Sequence, residues 1–244
     1  MPGPSPDELA ADGAAALTGL FPPFVRVALV PVADHRCPWA EEQAAVARAV
    51  ASRRRDFLSG RAAAHAALAA IGRDQGAVGV GPRRQPRWPA GVVGSIAHAG
   101  AWAGAVVAGS EHAQGLGLDI EVLDPPLPED VERVVAGPLV AGPAGHPLTP
   151  YAPKVAFSTR EAVFKCLFPA TGWPLEPADL AVELDLRVGR YRAVVSGRFR
   201  RPESAVPATQ EVSIAGRFAV VAGHLLTGAC VQAGGASPGG PVLT

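Results

Sequence analysis

The sequence contains very little lysine, because Lys154 and Lys165 are the only lysines among its 22 basic residues. It also has no net charge at pH 7, since 22 acidic residues balance the basic ones. Binding to nucleic acid or to an anionic membrane through bulk charge requires an excess of positive residues. The sequence therefore predicts no nucleic-acid partner and no membrane partner, and a charged ligand has to be bound by a local cluster.

Cysteine is also scarce, and no uncharged stretch is typical of a membrane helix. Cys37, Cys166 and Cys230 are widely spaced without a Cys-x-x-Cys pair, which argues against a disulfide framework and a zinc knuckle. The uncharged stretch over residues 88–110 is long enough to span a bilayer, but it contains a proline and five glycines, which favours strands joined by turns. The N-terminus lacks a cationic, apolar signal region. These features predict a cytoplasmic protein.

The charged residues that are present are unevenly distributed. Residues 51–100 contain eight arginines and two acids, whereas residues 101–150 contain one arginine and seven acids. A basic segment beside an acidic one suits a protein that binds a phosphate and a divalent cation together. Random variation in surface charge explains the same distribution equally well, so the pattern needs support from specific residues.

Helical and strand patterns are mixed along the chain, which predicts an α+β fold. Helical patterns cover residues 40–71, as two helices or one bent helix, and residues 154–168, ending before Pro169. Strands are predicted over residues 92–98, 102–108, 115–122, 180–187, 191–199, 212–214 and 218–231, and the last four are expected to form an antiparallel meander. Strict alternation over residues 115–122 indicates a half-buried strand.

Composition divides the chain into five segments. Residues 1–14 and 232–244 are rich in glycine, proline and small residues, and we expect both ends to be disordered. Between them we expect an N-terminal lobe (15–123), a connector rich in proline and glycine (124–152) with a short helix over 129–135, and a C-terminal lobe (153–231).

Asp119 and Glu121 are candidates for binding a metal. They are separated by one residue on a predicted strand, so both carboxylates project from the same face and can share one hard cation. The alternative is a solvated outer face, which is the more common explanation for such a pair.

Glu161 and Lys165 lie four residues apart on a predicted helix, so their charged ends share a face. A surface ion pair worth about 0.2–0.5 kcal/mol explains Glu161, and so does a capping box that begins at Ser158. Neither explains a lysine at 165 in a chain that otherwise uses arginine. Lysine can give up a proton where arginine cannot, which favours a functional role for Lys165.

Arg53, Arg61 and His98 are candidate ligands of an anion. On an unbroken helix Arg53, Phe57 and Arg61 lie within about 80° of arc and can line one edge of a groove. The planar guanidinium group suits phosphate because it donates two hydrogen bonds at once. The alternatives are a solvated helix face for the arginines and a core or turn position for His98.

Four motifs follow one another in the sequence: RRRDFLSGRAAAHAAL (53–68), PRWPAGVVGSIAH (86–98), GLDIE (117–121) and FSTREAVFKCLFP (157–169). In this order they resemble the successive blocks of the 4′-phosphopantetheinyl transferases, of the enterobactin-synthetase type, over most of residues 50–170. Enzymes of this group activate fatty-acid, polyketide and non-ribosomal peptide synthases, including those that make siderophores. Ala97 and Arg160 depart from the family pattern, which commonly has Ser or Thr and Lys at these positions.

The resemblance implies a fold, a reaction and a set of site residues. The fold is expected to have two similar α+β lobes related by pseudo-two-fold symmetry, each with a small, mostly antiparallel sheet packed on helices, in one monomer with coenzyme A bound between the lobes. The reaction would transfer the 4′-phosphopantetheine arm of coenzyme A to a serine of an apo acyl or peptidyl carrier protein and release 3′,5′-ADP. The implied residues are Asp119, Glu121 and Glu161 as ligands of Mg²⁺ (with Mn²⁺ left open), Glu161 and Lys165 as catalytic groups, and Arg53, Arg61, Arg83, Arg84, Ser95, His98 and Lys165 as ligands of coenzyme A.

Two other functions remain open at this point. The same carboxylates and arginines suit a Mg²⁺-dependent hydrolase of nucleotides or phosphate esters, which needs no acceptor protein. A non-catalytic module that binds coenzyme A or a carrier protein is the second alternative. For the expected transferase, the 125–153 connector is the predicted docking surface for the carrier.

Overall fold

The structure is a computed structural model that describes residues 6–135, 137, 139–140, 145–172, 175–176, 179–199 and 208–234. The helices are α1 (Pro6–Gly19), α2 (Ala40–Ala45), α3 (Ala51–Ala69), α4 (Glu129–Val135) and α5 (Ala152–Thr171), with a 3-10 helix (Thr149–Tyr151) before α5. The strands are β1 (Arg26–Pro31), β2 (Gly79–Val80), β3 (Pro86–Arg87), β4 (Val92–Ala99), β5 (Trp102–Gly109), β6 (Ala113–Val122), β7 (Leu139–Val140), β8 (Leu180–Asp185), β9 (Arg190–Phe199), β10 (Ala208–Val221) and β11 (His224–Gln232). Among these elements no helix is long and apolar enough to cross a membrane.

The predicted α+β class is confirmed, and the sheets are small and mostly antiparallel. One sheet has the order β1-β5-β4, and a larger one has the order β6-β11-β10-β9-β8-β7, in which only the β7–β8 pair is parallel. The β2–β3 hairpin forms a separate two-stranded ribbon. Pseudo-two-fold symmetry and the division into two lobes stay predictions.

Strand β6 lies at the junction of the two halves of the chain. It pairs with β11 in the larger sheet, while Leu116, Leu118 and Ile120 belong to the apolar cluster beside β4 and β5. Its other face is covered by α5. The strand is therefore buried on both faces along most of its length, and the prediction of a half-buried strand is wrong. The alternation of apolar and polar residues over 115–122 did not reveal that α5 covers the face that carries Asp119 and Glu121.

The expectation of a disordered N-terminus over residues 1–14 is wrong for the part that the structure describes, because α1 begins at Pro6. Leu17 of this helix and Leu20, which follows it directly, are buried in an apolar cluster with residues of β4, β5, β6 and β11, and Leu9 and Ala16 pack at the edge of the same cluster. Small and polar residues gave little local signal, and tertiary burial stabilises the helix. The tail predicted from residue 232 lies mostly outside the described residues.

Two element boundaries also differ from the predictions. Helix α5 continues past Pro169 and ends at Thr171, where Gly172 adopts the left-handed conformation with φ of 64°. A proline in the last turn removes one of several helical hydrogen bonds, so it does not have to end the helix. Strand β10 runs unbroken to Val221, and the chain turns at Ala222 and Gly223 instead of after Ile214.

A buried ionic network joins α2, α3 and the start of the β2–β3 hairpin. The Glu42 carboxylate is 1% exposed and accepts hydrogen bonds from the Val78 N–H (2.7 Å) and from His65 Nε2 (2.8 Å). The other ring nitrogen of His65 lies 2.5 Å from Asp74 Oδ1. Burial alone would lower the pKa of His65, but the hydrogen bonds to Glu42 and Asp74 outweigh burial and raise it.

This network predicts a pH dependence of stability. A group whose pKa is raised in the folded state contributes stability fully below its unfolded pKa, about 6.5 for histidine, and loses that contribution as the pH rises through the folded pKa. We expect the free energy of unfolding in urea to fall as the pH rises from about 6 to 9. The His65→Gln variant, although less stable, should lose less over this range. Identical slopes in the two proteins would contradict the prediction.

Candidate active site

The candidate site is built where β6 packs directly on α5. An added Cβ atom at Gly117 would lie 1.8 Å from the Ala162 carbonyl oxygen, and one at Gly115 would lie 2.2 Å from that of Cys166. Only glycine permits such an approach of strand to helix. Because side chains alternate along a strand, Asp119 and Glu121 share the face of these glycines and are directed towards α5.

Asp119 forms the centre of a hydrogen-bonded cluster. Its side chain is 6% exposed, and Oδ1 lies 2.6 Å from the Lys165 ammonium nitrogen. Its second oxygen accepts a hydrogen bond of 2.8 Å from the Ser158 hydroxyl, which lies 2.9 Å from Thr227 Oγ1 on β11. Among the described residues the ion pair of Lys165 is therefore with Asp119, and the alternative of a surface ion pair between Glu161 and Lys165 is not observed.

Glu121 and Glu161 both interact electrostatically with this ion pair, and the pKa of each carboxyl group is raised. Burial raises the pKa of Glu121 to about 7, and the charge of Asp119 adds to the effect while Lys165 opposes it. Burial also raises the pKa of Glu161. The charge of Asp119 raises this pKa further, whereas the charge of Lys165 lowers it. The charges of Lys165 and, at Glu121, of Lys154 oppose these shifts, so three carboxylates face two ammonium groups and a local excess of negative charge remains.

The donor set fits a hard divalent cation. Carboxylate oxygens are the ligands that Mg²⁺ prefers, and an excess of negative charge in a partly buried site favours a cation. In the part of the chain that the structure describes, no three acidic, histidine or cysteine side chains are close enough together to hold a metal as they stand. The chemistry of the donors therefore fits Mg²⁺, while the metal ligands remain a prediction.

Arg53 and His98 form a basic pair near the Asp119–Lys165 ion pair. Arg53 Nη1 is 3.5 Å from His98 Nε2, which joins the start of α3 to the end of β4. Burial lowers the pKa of His98; the nearby charges of Arg53 and Lys165 lower it further, whereas Asp56 and Asp119 oppose the shift. His98 is thus near both the ion pair and Arg53, and its lowered pKa favours the neutral imidazole.

Arg61 shares the helix edge of Arg53 but is directed into the protein. Its guanidinium carbon lies 4.4 Å from the centre of the Phe57 ring, which agrees with the predicted helix face. It is 5% exposed, and Nη2 donates to the Gly79 carbonyl at the base of the hairpin, 3.3 Å away. Arg61 therefore supports the hairpin, and its role as a phosphate ligand stays a prediction.

A cavity of about 270 Å³ lies beside Lys165. Trp88, Phe164 and Phe168 supply apolar walls, and Arg83 and Arg84 line it from the tip of the hairpin. The Arg83 guanidinium carbon lies 5.5 Å from the Phe168 ring centre. The cavity thus combines apolar surface with cationic groups next to the Asp119–Lys165 pair.

Ser95 also lines this cavity, although its hydroxyl already has a structural partner. It is 3% exposed and accepts a hydrogen bond of 3.0 Å from the Leu118 N–H. A larger cavity of about 540 Å³ lies between residues 19–23 and the outer face of β9–β11, and none of the predicted site residues lines it.

Comparison with known proteins identifies the family. Residues 41–108 match the model of the 4′-phosphopantetheinyl transferase N-terminal domain. The chain is 31% identical over 198 residues to the 4′-phosphopantetheinyl transferase PptT of Mycobacterium tuberculosis, covering 78% of this chain and 84% of that protein. The chain belongs to the 4′-phosphopantetheinyl transferase superfamily. It is an enzyme of this type, and the predicted resemblance is confirmed.

Other members of the superfamily support the enterobactin-type subgroup. The 4′-phosphopantetheinyl transferase Svp of Streptomyces mobaraensis is 39% identical over 163 residues, which are 64% of this chain and 66% of Svp. Enterobactin synthase component D of Salmonella typhi is 33% identical over 141 residues, which are 54% of this chain and 56% of that protein.

Sequence reasoning missed two site residues of this transferase. Ser158 lies within α5, whose first residue is Ala152, so the capping-box interpretation is wrong. Ser158 lies seven residues before Lys165, which places both side chains on one helix face. This spacing could have indicated from the sequence that Ser158 lies near Lys165. Thr227 gave no such signal, because it reaches the site through the pairing of β11 with β6, in which Thr227 lies opposite Asp119.

The two departures from the family pattern are both buried. Ala97 is 5% exposed and packs in the apolar cluster around β4, and Arg160 is 7% exposed with Nε 3.4 Å from the Leu180 carbonyl oxygen. Ala97 fills a core position of the transferase, and Arg160 joins α5 to β8.

Arg53 and Arg61 should respond differently to substitution in the transferase. We expect Arg53→Gln to weaken coenzyme A binding about tenfold or more, because it removes a charge-assisted hydrogen-bond donor from the basic pair with His98. Arg61→Gln should mainly lower the melting temperature, because it removes the cation that lies near buried Glu42. Calorimetric titration with coenzyme A and thermal melting measure the two effects. An equal loss of affinity in both variants would assign Arg61 to the cofactor.

Proposed function

We propose that the chain transfers the 4′-phosphopantetheine arm of coenzyme A to a serine of an apo acyl or peptidyl carrier protein, with Mg²⁺ as the metal and 3′,5′-ADP as the second product. The observation that carries the proposal is the Asp119–Lys165 ion pair of 2.6 Å, because Glu121, Glu161 and His98 all interact electrostatically with it and Arg53 contacts His98. Groups that suit an anion and groups that suit a cation thus lie close to one ion pair.

Asp119, Glu121 and Glu161 are the residues that would hold Mg²⁺, and the ion would offset negative charge on the pyrophosphate of coenzyme A. Their hard oxygen donors and the raised pKa values of Glu121 and Glu161 support this assignment. Arg53 and His98, with Arg83, Arg84 and Ser95 around the adjoining cavity, would bind the nucleotide part of coenzyme A. Arg61 would contribute from the base of the hairpin.

Glu161 and Lys165 are proposed to handle protons and charge at the reacting phosphate. The serine hydroxyl of the carrier attacks the phosphorus that bears pantetheine, so its proton has to be accepted, by Glu161 directly or through a water that it holds. The raised pKa of Glu161 brings this carboxylate closer to the range in which it accepts a proton effectively. Lys165 would stabilise or protonate the leaving phosphate of 3′,5′-ADP.

The pantetheine arm needs an elongated, largely apolar space next to these groups. Glu161 lines a cavity of about 250 Å³ whose other lining residues are four apolar and two charged ones, Phe157, Phe164, Leu175 and Leu180 with Arg160 and Glu176. Phe164 also lines the cavity beside Lys165, so the two spaces flank the same helix face. Their shared position beside Glu161 and Lys165 supports binding of a molecule with a charged half and an apolar half.

The carrier protein is proposed to dock on the 125–153 connector. Exposed valines at 131 and 140 give this segment apolar surface, and α4 lies within it. We further propose that the enzyme is a cytoplasmic monomer.

Intact mass spectrometry of the carrier protein tests the proposed function. The purified chain is incubated with coenzyme A, Mg²⁺ and an apo carrier, and a reaction without Mg²⁺ serves as the control. Transfer adds one phosphopantetheine to the carrier and requires the metal. Release of phosphate or nucleotide without carrier modification would instead support a hydrolase, and an unchanged mass across acyl and peptidyl carriers would refute the proposal.

A further inference from the structure

Lys154, the other lysine of the sequence, is buried and donates hydrogen bonds only to backbone oxygens in the described part of the chain. Lys154 lies in the first turn of α5, is 7% exposed, and donates hydrogen bonds to the carbonyls of Val122 (3.0 Å), Leu123 (2.9 Å) and Pro125. No carboxylate of the described residues lies within ion-pair distance of it. The dipoles of three carbonyl groups thus stabilise its charge, which also acts electrostatically on nearby Glu121.

These carbonyls belong to the end of β6 and the turn that follows it. Tyr151, three residues before Lys154, donates a hydrogen bond of 2.9 Å to Asp124 Oδ1 in the same turn. We call Lys154 and Tyr151, together with residues 122–125, the β6 clamp. The first residue of the clamped segment follows directly after Glu121.

The clamp belongs to a regular alignment of α5 with β6, in which helix and strand run in opposite directions. Going back along the strand, Lys154 contacts residues 122–125, Ser158 contacts Asp119, Ala162 contacts Gly117, and Cys166 contacts Gly115. Four helical residues rise about 6 Å and two strand residues about 6.6 Å, so the two elements stay in register. The glycine contacts fix one end of this alignment and the clamp fixes the other.

The chemistry of three converging carbonyls explains a lysine at this position. An ammonium group has three donors around one point, whereas a guanidinium group has five donors in a fixed plane. A buried cation is costly to desolvate, and well-packed apolar residues often stabilise a protein equally well. Stability alone is therefore a weak reason for a buried lysine in a chain that otherwise uses arginine.

We propose that Lys154 is a positioning residue that holds the end of β6 on α5 and thereby sets the distance of Glu121 from Asp119 and Glu161 for a divalent cation. This inference rests on the proposed function, since it assigns those three carboxylates to the metal. Lys154 does not itself touch the reacting groups.

The test measures metal binding directly. The full chain is saturated with coenzyme A in the absence of carrier protein and titrated calorimetrically with Mn²⁺, as wild type, Lys154→Arg, Lys154→Met and Arg217→Met. We expect about tenfold weaker metal binding in both Lys154 variants, since supporting residues of metal sites typically contribute 10–100-fold. Their coenzyme A affinity without metal should stay within about twofold of wild type. Arg217 is the matched control and should change nothing, because it lies on β10, is separated from β6 by β11, and donates to the Gly19 carbonyl at the end of α1.

Transfer assays at increasing Mg²⁺ separate positioning from general damage. High metal concentrations should restore the Lys154→Arg rate towards wild type, and thermal melting establishes that the variants are folded. Wild-type metal affinity in folded Lys154→Arg and Lys154→Met would overturn the inference. If neither variant folds, the Tyr151→Phe variant provides the test, because it removes only an exposed hydroxyl of the clamp. We expect it to bind the metal two- to threefold more weakly, and unchanged metal binding would overturn the inference. A wild-type protein that binds neither coenzyme A nor metal would instead refute the proposed function.

Discussion

The Asp119→Asn variant is expected to lose transfer activity by more than about a hundredfold. Asparagine keeps the shape of the side chain but removes the charge that faces Lys165 and one oxygen donor for a divalent cation. Losses of 10–100-fold are typical even for residues that only support a metal ligand, so a ligand itself should have a larger effect. The measurement is the initial rate of carrier modification at saturating coenzyme A and Mg²⁺.

The same substitution should change stability much less than activity. The side chain of Lys165 is 28% exposed, so its ammonium group can regain water when Asp119 is neutralised. The amide can still accept the hydrogen bond from Ser158. Glu183→Gln, an exposed carboxylate on β8, is the matched control and should leave the rate unchanged. Wild-type turnover in Asp119→Asn would rule out Asp119 as a metal ligand.

Replacing Lys165 with arginine should reduce the transfer rate about a hundredfold at saturating substrates and metal. Arginine keeps the positive charge next to Asp119, but its pKa is too high for it to give up a proton, and general acid catalysis typically contributes 10²–10⁴-fold. The larger planar group also cannot reproduce the 2.6 Å contact of a single ammonium nitrogen without shifting its neighbours. The melting temperature should change by only a few degrees.

The two lysine-to-arginine variants distinguish two roles within one helix. Lys165→Arg should stay slow at every Mg²⁺ concentration, whereas Lys154→Arg should recover as Mg²⁺ is raised. Equal activity of Lys165→Arg and wild type would reduce Lys165 to a structural partner of Asp119. Recovery of Lys165→Arg at high Mg²⁺ would show that it supports metal binding and not proton transfer.

The secondary structure near the site was largely predictable, because its signals are local. The β4–β5 hairpin, α3 and the strand that carries Asp119 all followed from hydrophobic periodicity and turn residues. Helix α1 and the unbroken strand β10 were not predicted. Both depend on packing against distant parts of the chain, which weakly patterned sequences do not reveal.

The sequence by itself determined the family, the reaction class and the types of residue at the site. Four ordered motifs and a lysine among arginines were enough, because catalytic groups are constrained by chemistry and lie in short stretches of chain. Only the tertiary structure decided how those residues are paired. It joined Lys165 to Asp119 instead of Glu161, brought Thr227 beside Ser158, directed Arg61 inward, and placed Lys154 on the end of β6. The contacts of Lys154, Ser158 and Lys165 depend on the approach of α5 to a strand more than thirty residues earlier, and that of Arg61 depends on the packing of α3 on the β2–β3 hairpin. Local spacing along the sequence does not encode such distances in space.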